Sequence, residues 1–111
     1  MNEKDESSMQ TIIILLYLEN LENPDTDLRY DVSDRIEIYT DGKIMDNGYD
    51  YLEEGQMAVY LQTEQAKILY PLIVELFQKE EFCGNDLSKS AEIYISEKKM
   101  ADISECTQVF S

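Results

Sequence analysis

The chain has 111 residues, of which 43% are hydrophobic, and its 24 acidic against 9 basic side chains give a net charge of −15. This length fits one domain with one core, and the apolar content argues against wholesale disorder. The charge argues against direct binding to nucleic acid or to an anionic membrane, because affinity for phosphate depends on lysine and arginine.

The chain begins with an acidic, polar segment followed by a short apolar run. We expect residues 1–9 to be a disordered acidic tail, in which Met9 is an alternative translation start, and residues 10–111 to form a single α+β domain. The tail lacks the basic stretch that opens a signal peptide, and the apolar run at 12–18 is too short to span a bilayer. We therefore expect a cytoplasmic protein without membrane contact.

Residues 11–18 (TIIILLYL) form a continuous apolar run that is rich in β-branched side chains. A run of this length is short for a helix and typical of a strand buried on both faces. We therefore predict a central strand, with a buried helical segment as the alternative. An acidic loop is predicted to follow at 20–33, with a turn signal at 23–25 (Asn-Pro-Asp).

Residues 34–40 show the alternation that is typical of a strand with one solvated face. Ile36 and Ile38 alternate with Glu37 and Tyr39, which is a period of two. We therefore predict a strand over this segment, with its isoleucines turned toward the core.

Two glycine-containing turns are predicted after that strand. An Asp-Gly pair at 41–42 suits a tight hairpin, because glycine tolerates a positive φ, and a short return strand should follow at 43–45. The Asp-Asn-Gly sequence at 46–48 predicts a second turn. Residues 49–55 are acidic and aromatic, and we expect them to be irregular.

The second half of the chain begins with a predicted strand and a predicted helix. Residues 56–62 alternate apolar and polar side chains, which predicts a strand. Apolar residues then recur at helical spacing and predict one main helix at about 64–82, which Thr63 caps and Pro71 kinks or breaks. Gly84 should end that helix as a C-terminal cap.

A hairpin is predicted at the end of the chain, from alternating segments at 91–96 and 102–110 with a turn at 98–99. Together these elements predict an α+β fold, in which a mostly antiparallel sheet of about five to six strands carries one main helix on one face.

Catalytic groups are scarce in this composition. The chain has no histidine, which is the usual base for a serine or cysteine nucleophile, and its four glycines are isolated rather than grouped into a phosphate-binding loop. We therefore expect no enzymatic activity, no catalytic residues and no cofactor. Cys83 and Cys106 are expected to be free thiols, with a disulfide between them as the alternative.

Two oxygen-rich segments, at 25–31 and 46–50, contain the side chains that calcium prefers. Neither segment has the spacing of an EF-hand loop, so we expect acidic turns in water and no metal site. A calcium-dependent module or a small enzyme remains an alternative of another class.

The negative charge is concentrated in residues 19–54, which hold twelve acids against three bases and so carry a net −9. Tyrosines interleave this stretch, and tyrosine is enriched at protein interfaces. We expect this segment to bind a partner rather than to be only a solvated acidic face. The candidate partner-binding residues are Asp25, Asp27, Asp31, Asp34, Glu37, Asp41, Asp46, Tyr49, Asp50, Tyr51, Glu53 and Glu54.

Carboxylates on a rigid scaffold can imitate part of the phosphate array of DNA. The main hypothesis is therefore a small, non-enzymatic inhibitor or binding protein whose acidic face docks on a basic, nucleic-acid-binding protein. In size and charge the chain is similar to phage anti-CRISPR and anti-restriction proteins, although no motif matches a family. The alternatives are an immunity protein or antitoxin against a basic nuclease toxin, and a structural subunit that oligomerises through apolar surface near Phe77, Phe82 and Phe110.

Overall fold

The computed structural model describes residues 9–53 and 55–111, and within them it contains five strands and two helices. Their order is β1 (Gln10–Tyr17), α1 (Leu28–Tyr39), β2 (Met45–Tyr51), β3 (Gln56–Thr63), α2 (Ala66–Lys79), β4 (Ala91–Ser96) and β5 (Thr107–Phe110). Single 3-10 turns lie at Leu18–Asn20 and Ile103–Glu105. The predicted tail lies outside the described residues apart from Met9.

The five strands form one antiparallel sheet in the order β2-β3-β1-β4-β5. The prediction of a central first strand is confirmed, because β1 pairs with β3 on one side and with β4 on the other. Its inner residues are buried without a break, as a strand covered on both faces requires. The predicted α+β class and antiparallel sheet are therefore confirmed.

Both helices pack against the same face of the sheet. Alternate β1 side chains, among them Ile12 and Ile14, share a core with α1 and α2. The intervening residues Ile13 and Leu15 form a smaller cluster with Ala58 on the opposite face. The expectation of a single main helix was therefore incomplete, since two helices cover the sheet.

The helix α1 replaces the loop predicted at 20–33 and the strand predicted at 34–40. Its buried side chains Leu28, Val32 and Ile36 are spaced by four residues, which places them along one helical stripe against the core. Ile38 is 79% exposed, so the alternation with Ile36 did not mark a buried strand face. The helical spacing of the three buried residues decides the structure, because the strand-like alternation rested on only two isoleucines.

The strand β2 runs through the predicted turn at 46–48 and the first part of the segment expected to be irregular. Of the return strand predicted at 43–45, only Met45 belongs to it. The pairing with β3 shifts register between Asp46 and Tyr49, where Gly48 has a φ of +98°. Gly48 thus allows a β-bulge. A polar, glycine-containing segment can form this edge strand because β3 provides its backbone hydrogen-bond partners.

The helix α2 is continuous through Pro71, which is exposed. Its start differs from prediction, because Gln65 precedes the first turn and the Gln10 side chain accepts a hydrogen bond from the Ala66 N–H at 2.8 Å. Thr63 instead ends β3, and it is buried. A side chain from β1 therefore provides the cap that the local sequence was expected to provide.

The helix α2 also ends earlier than predicted, at Lys79, with Glu80 in an extended conformation. Gly84 does not cap it. Cys83 and Gly84 both have positive φ, at 50° and 82°, and form the centre of a tight turn in which Phe82 and Asn85 exchange backbone hydrogen bonds of 2.9 Å. Two successive positive φ values are the geometry of a type I′ turn.

The C-terminal hairpin is confirmed, because β4 pairs with β5 in antiparallel fashion. The last strand is shorter than the predicted segment at 102–110, since a 3-10 turn at Ile103–Glu105 precedes it. Within the described residues, neither helix has the length and apolar content needed to cross a membrane.

Candidate functional site

Three tyrosines from α1 and β2 come together on the surface, and we call them the tyrosine cluster: Tyr30, Tyr49 and Tyr51. The rings of Tyr30 and Tyr49 are 5.9 Å apart between centroids, and those of Tyr49 and Tyr51 are 6.0 Å apart, both edge to face. Their residues are 52%, 40% and 46% exposed. Three large rings with this exposure form an accessible aromatic patch.

The fold explains why these three tyrosine rings lie close together. Tyr49 and Tyr51 pair with Val59 and Met57, whose side chains belong to the core under the helices. Because cross-strand partners share a sheet face, both tyrosines lie on the side of the sheet that α1 covers. Tyr30 lies on the flank of α1 that faces β2, so the three rings meet between helix and edge strand.

The Arg29 side chain lies over two rings of the tyrosine cluster. Its guanidinium carbon is 4.5 Å from the ring centroid of Tyr30 and 5.5 Å from that of Tyr49. One terminal nitrogen donates to the Thr26 carbonyl at 2.6 Å, while the buried Nε finds no acceptor among the described residues. Hydrogen bonding from Arg29, and then from Tyr49, lowers the pKa of Tyr30. The guanidinium is therefore held largely by aromatic rings.

Beside the tyrosine cluster, the end of α1 forms a shallow acidic groove of about 600 Å³. We define the acidic groove by its lining residues, which are Asp34, Glu37, Ile38, Asp41 and Gly42. Glu37 joins the acidic groove to β2, since its Oε1 lies 3.5 Å from the backbone nitrogen of Asp46. Within the described chain, no lysine or arginine forms an ion pair with Asp34, Glu37 or Asp41, so this charge is uncompensated.

Other predicted site residues near α1 have structural contacts. Asp25 accepts a hydrogen bond from the Asp27 backbone at 2.9 Å in the turn before the helix, and Asp27 precedes the first helical residue. Asp31 forms an ion pair with Arg35 at 3.3 Å on the opposite flank of α1. Arg35 also pairs with Glu80 and lies 4.0 Å above the Phe82 ring, so these contacts connect α1 with the end of α2.

The sequence prediction grouped Asp50 and Glu53 with the residues above, and the fold separates them. Asp50 pairs with Ala58, which belongs to the cluster on the face without helices. Burial raises the pKa of Tyr60, and the charge of Asp50 raises it further. The charge of Glu53 is the smallest of the effects that raise the pKa of Tyr17. Both acids therefore act at the helix-free face, and Glu54 lies outside the described residues.

Two carboxylates of the edge strand β2 accept hydrogen bonds from backbone N–H groups of the same strand. The N–H of Gly48 donates to Asp46 at 3.1 Å, and that of Tyr51 donates to Asp50 at 2.8 Å. Edge strands with free donors invite pairing with other chains, and charged side chains and bulges prevent it. Part of the acidity of β2 therefore protects the sheet edge, and this edge is poorly suited to receive an added strand.

The helix-free face carries a second tyrosine arrangement around Glu92. Tyr94 donates a hydrogen bond to the Glu92 carboxylate at 2.8 Å, and Tyr17 does so at 3.2 Å. Burial, followed by the hydrogen bond and charge of Glu92, raises the pKa of Tyr94 to about 12. These tyrosines are half-buried, whereas those of the tyrosine cluster are exposed.

Neither cysteine has the environment of a nucleophile. Cys83 and Cys106 are free thiols, and burial, followed by nearby carboxylates, raises the pKa of each. The thiolate is the reactive form, so both thiols remain protonated at neutral pH. Within residues 9–53 and 55–111, no three cysteine or carboxylate side chains gather closely enough to share a metal ion.

A cavity with a more apolar lining lies elsewhere, at the start of α2, with a volume of about 580 Å³. Its walls include Ile68, Tyr70, Ile95 and Val109. Of the phenylalanines expected to border an apolar surface, Phe77 and Phe82 are buried and pack edge to face at 5.3 Å, whereas Phe110 is half-buried and lines a shallow groove of about 400 Å³.

Comparison with known proteins finds no relative. No family model, no curated protein and no solved structure matches this chain.

The acidic groove, at the end of α1, and the tyrosine cluster, at the start of α1 and on β2, together make up the candidate surface, which we call the α1–β2 face. Of the predicted site residues, the fold brings Asp34, Glu37, Asp41, Asp46, Tyr49 and Tyr51 to this face, with Asp27 at the start of the same helix. The site prediction omitted Tyr30, Arg29 and Ile38. A helical assignment of residues 28–39 would have placed Tyr30 with Glu37, since they are two turns apart.

Proposed function

We propose that this protein is a small, non-enzymatic inhibitor whose α1–β2 face docks on a basic surface of a nucleic-acid-binding protein. The observation that carries the proposal is uncompensated charge beside exposed apolar side chains. Four of the seven large apolar residues that are exposed in the described chain belong to this face: Tyr30, Ile38, Tyr49 and Tyr51. Interfaces of stable complexes combine such anchors with a charged rim.

The charge spacing supports a partial imitation of DNA. Asp27, Asp34 and Asp41 are spaced by seven residues, just before, within and just after α1, whose 12 residues span about 18 Å, and Glu37 and Asp46 lie close to each other nearby. About 20 Å of duplex carries roughly twelve phosphate charges, so the array is more dilute than DNA. Charge would therefore accelerate and orient association, while the apolar side chains would supply most of the binding energy.

The test compares two double variants in affinity capture from the source cells at low and high salt. Asp34→Lys/Glu37→Lys reverses charge on exposed and half-buried positions of α1. Glu64→Lys/Glu97→Lys, outside the α1–β2 face, makes the same change in net charge. We expect the wild type and the second variant to retain the same basic protein at low salt and to block its nucleic-acid binding, and the first variant to lose it.

Three results would refute the proposal. One is that no basic protein is retained at low salt, and another is that Asp34→Lys/Glu37→Lys retains the captured protein as fully as the wild type does. The third is that both double variants lose the captured protein equally, because the charge would then act as a bulk property rather than through this face.

A further inference from the structure

We propose that the tyrosine cluster is a guanidinium-binding subsite, which Arg29 occupies in the free protein and which an arginine side chain of the partner occupies in the complex. This inference rests on the proposed function, because it assumes a basic partner at the α1–β2 face. It adds the chemical group that is recognised and the residues that recognise it.

The rings already bind a guanidinium in the free protein. Arg29 lies over Tyr30 and Tyr49 at distances within the usual range for a cation above an aromatic face. The edge-to-face packing of the three rings makes them a set of differently directed faces rather than a flat stack. Arginine suits such a set better than lysine, because its planar group stacks on rings and is weakly hydrated.

Arg29 is incompletely satisfied over the tyrosine cluster. Its Nε is buried without an acceptor in the described part of the chain, while the rest of the guanidinium donates to the Thr26 carbonyl and to the Tyr30 hydroxyl. Arg35, on the same helix, differs, because it pairs with Asp31 and Glu80 and donates to the Glu81 carbonyl. A buried donor without a partner weakens an internal contact, so Arg29 is the arginine that a ligand can displace.

The surroundings of the tyrosine cluster are acidic. Asp27 lies near Tyr30, and Glu37 of the acidic groove approaches the backbone of Asp46 on the same strand as Tyr49 and Tyr51. A displaced Arg29 and an entering arginine would both remain within an acidic field that compensates them. The same field attracts a basic segment, while the rings select the side chain that enters.

The experiment uses two synthetic peptides of equal length and charge, one alternating arginine with glycine and one alternating lysine with glycine. Dissociation constants are measured by calorimetry at low salt, for the wild type and for four variants. Arg29→Gln removes the internal guanidinium. Lys43→Gln is its matched control, because Lys43 is exposed and its replacement removes the same charge. Tyr49→Leu/Tyr51→Leu removes two ring faces, and Tyr49→Phe/Tyr51→Phe retains them.

We expect Arg29→Gln to tighten binding of the arginine peptide by about fivefold, as the vacated ring faces become available. Lys43→Gln should change it by less than about twofold, as for a single exposed charge. The preference for arginine over lysine should disappear in Tyr49→Leu/Tyr51→Leu and persist in the phenylalanine variant. Circular dichroism and the melting temperature establish that each variant is folded.

Equal binding of the two peptides, or equal effects of Arg29→Gln and Lys43→Gln, would overturn the inference while leaving salt-sensitive docking on the α1–β2 face intact. Absence of binding by either peptide would also overturn it. The capture experiment tests the proposed function independently, so failure of one does not imply failure of the other.

Discussion

Individual acidic residues of this chain have different physical roles, although the sequence presents them as one run. Asp46 and Asp50 lie on the same strand, and their cross-strand partners Leu61 and Ala58 belong to the cores on opposite sheet faces. Asp31 is neutralised by Arg35, whereas Asp34 on the outer side of the helix is exposed. Charge density along a sequence therefore identifies a region, and only side-chain direction identifies the members of a site.

Asn85 shows how one buried polar side chain organises two loops. Its amide accepts from the Asn23 backbone N–H and donates to the Asn23 carbonyl, both at 2.8 Å, and it also donates to the Phe82 carbonyl at 3.1 Å. These bonds join the segment before α1 to the segment after α2. The acidic loop is thereby held against the body of the domain, which places the start of α1.

The tyrosines of the helix-free face predict a pH dependence of stability. In the unfolded chain Tyr94 loses its proton near pH 10, whereas in the folded protein its pKa is about 12. Between these values the folded state holds the proton that the unfolded state has released, so the free energy of unfolding falls as pH rises from 10 to 12.

Tyr94→Phe should make that decline shallower in urea titrations across the same pH range. Glu92→Gln should have the same effect, since the carboxylate contributes to the raised pKa. Some decline should remain, because the pKa values of Tyr17 and Tyr60 are also raised. A slope in Tyr94→Phe identical to that of the wild type would contradict this account.

At the scale of elements, the two helices differ in what stabilises them. The helix α2 has a broad apolar stripe that packs on the central strands, and its pattern was recognisable locally. The helix α1 is acidic and buries only Leu28, Val32, Ser33 and Ile36. Its stability depends on contacts with β2, β3 and α2 that a local window does not contain.

Pro71 provides a test of how α2 is stabilised. It is exposed inside the helix, where it supplies no N–H to the Lys67 carbonyl. We expect Pro71→Ala to increase the free energy of unfolding by about 1–2 kcal/mol, because a backbone bond is regained and only part of the gain is offset by greater freedom of the unfolded chain.

Chemical denaturation measures that change. Gln78→Ala, at another exposed position of α2, is the control and should stay within about 0.5 kcal/mol of the wild type. A destabilised Pro71→Ala variant would mean that the proline ring contributes packing that outweighs the regained bond.

At the scale of the molecule, the net charge of −15 repels itself in the compact state. Residues 19–54 contribute −9 of it. In the described part of this segment, the acids lie on α1, on the edge strand β2 and in the adjoining turns. Ion pairs such as that of Arg35 with Asp31 offset only a small part of this repulsion.

Added salt should therefore raise the melting temperature, because screening weakens the repulsion at distances beyond about 10 Å more than it weakens contacts at a few ångströms. The Asp34→Lys/Glu37→Lys variant, with less repulsion, should show a smaller rise. Scanning calorimetry at several sodium chloride concentrations provides the measurement, and a melting temperature that fell with salt would contradict the repulsion argument.

The sequence by itself determined the central strand β1, the strand β3, the terminal hairpin, most of α2 and the acidic region. These depend on long apolar runs, on sustained periodicity and on composition, all of which are local properties. Tertiary structure decided α1, β2, the capping of α2 by Gln10 and the separation of Asp50 from the α1–β2 face. It also decided the meeting of Arg29, Tyr30 and Tyr49, because contacts between a helix and a distant edge strand leave no periodic trace in the chain.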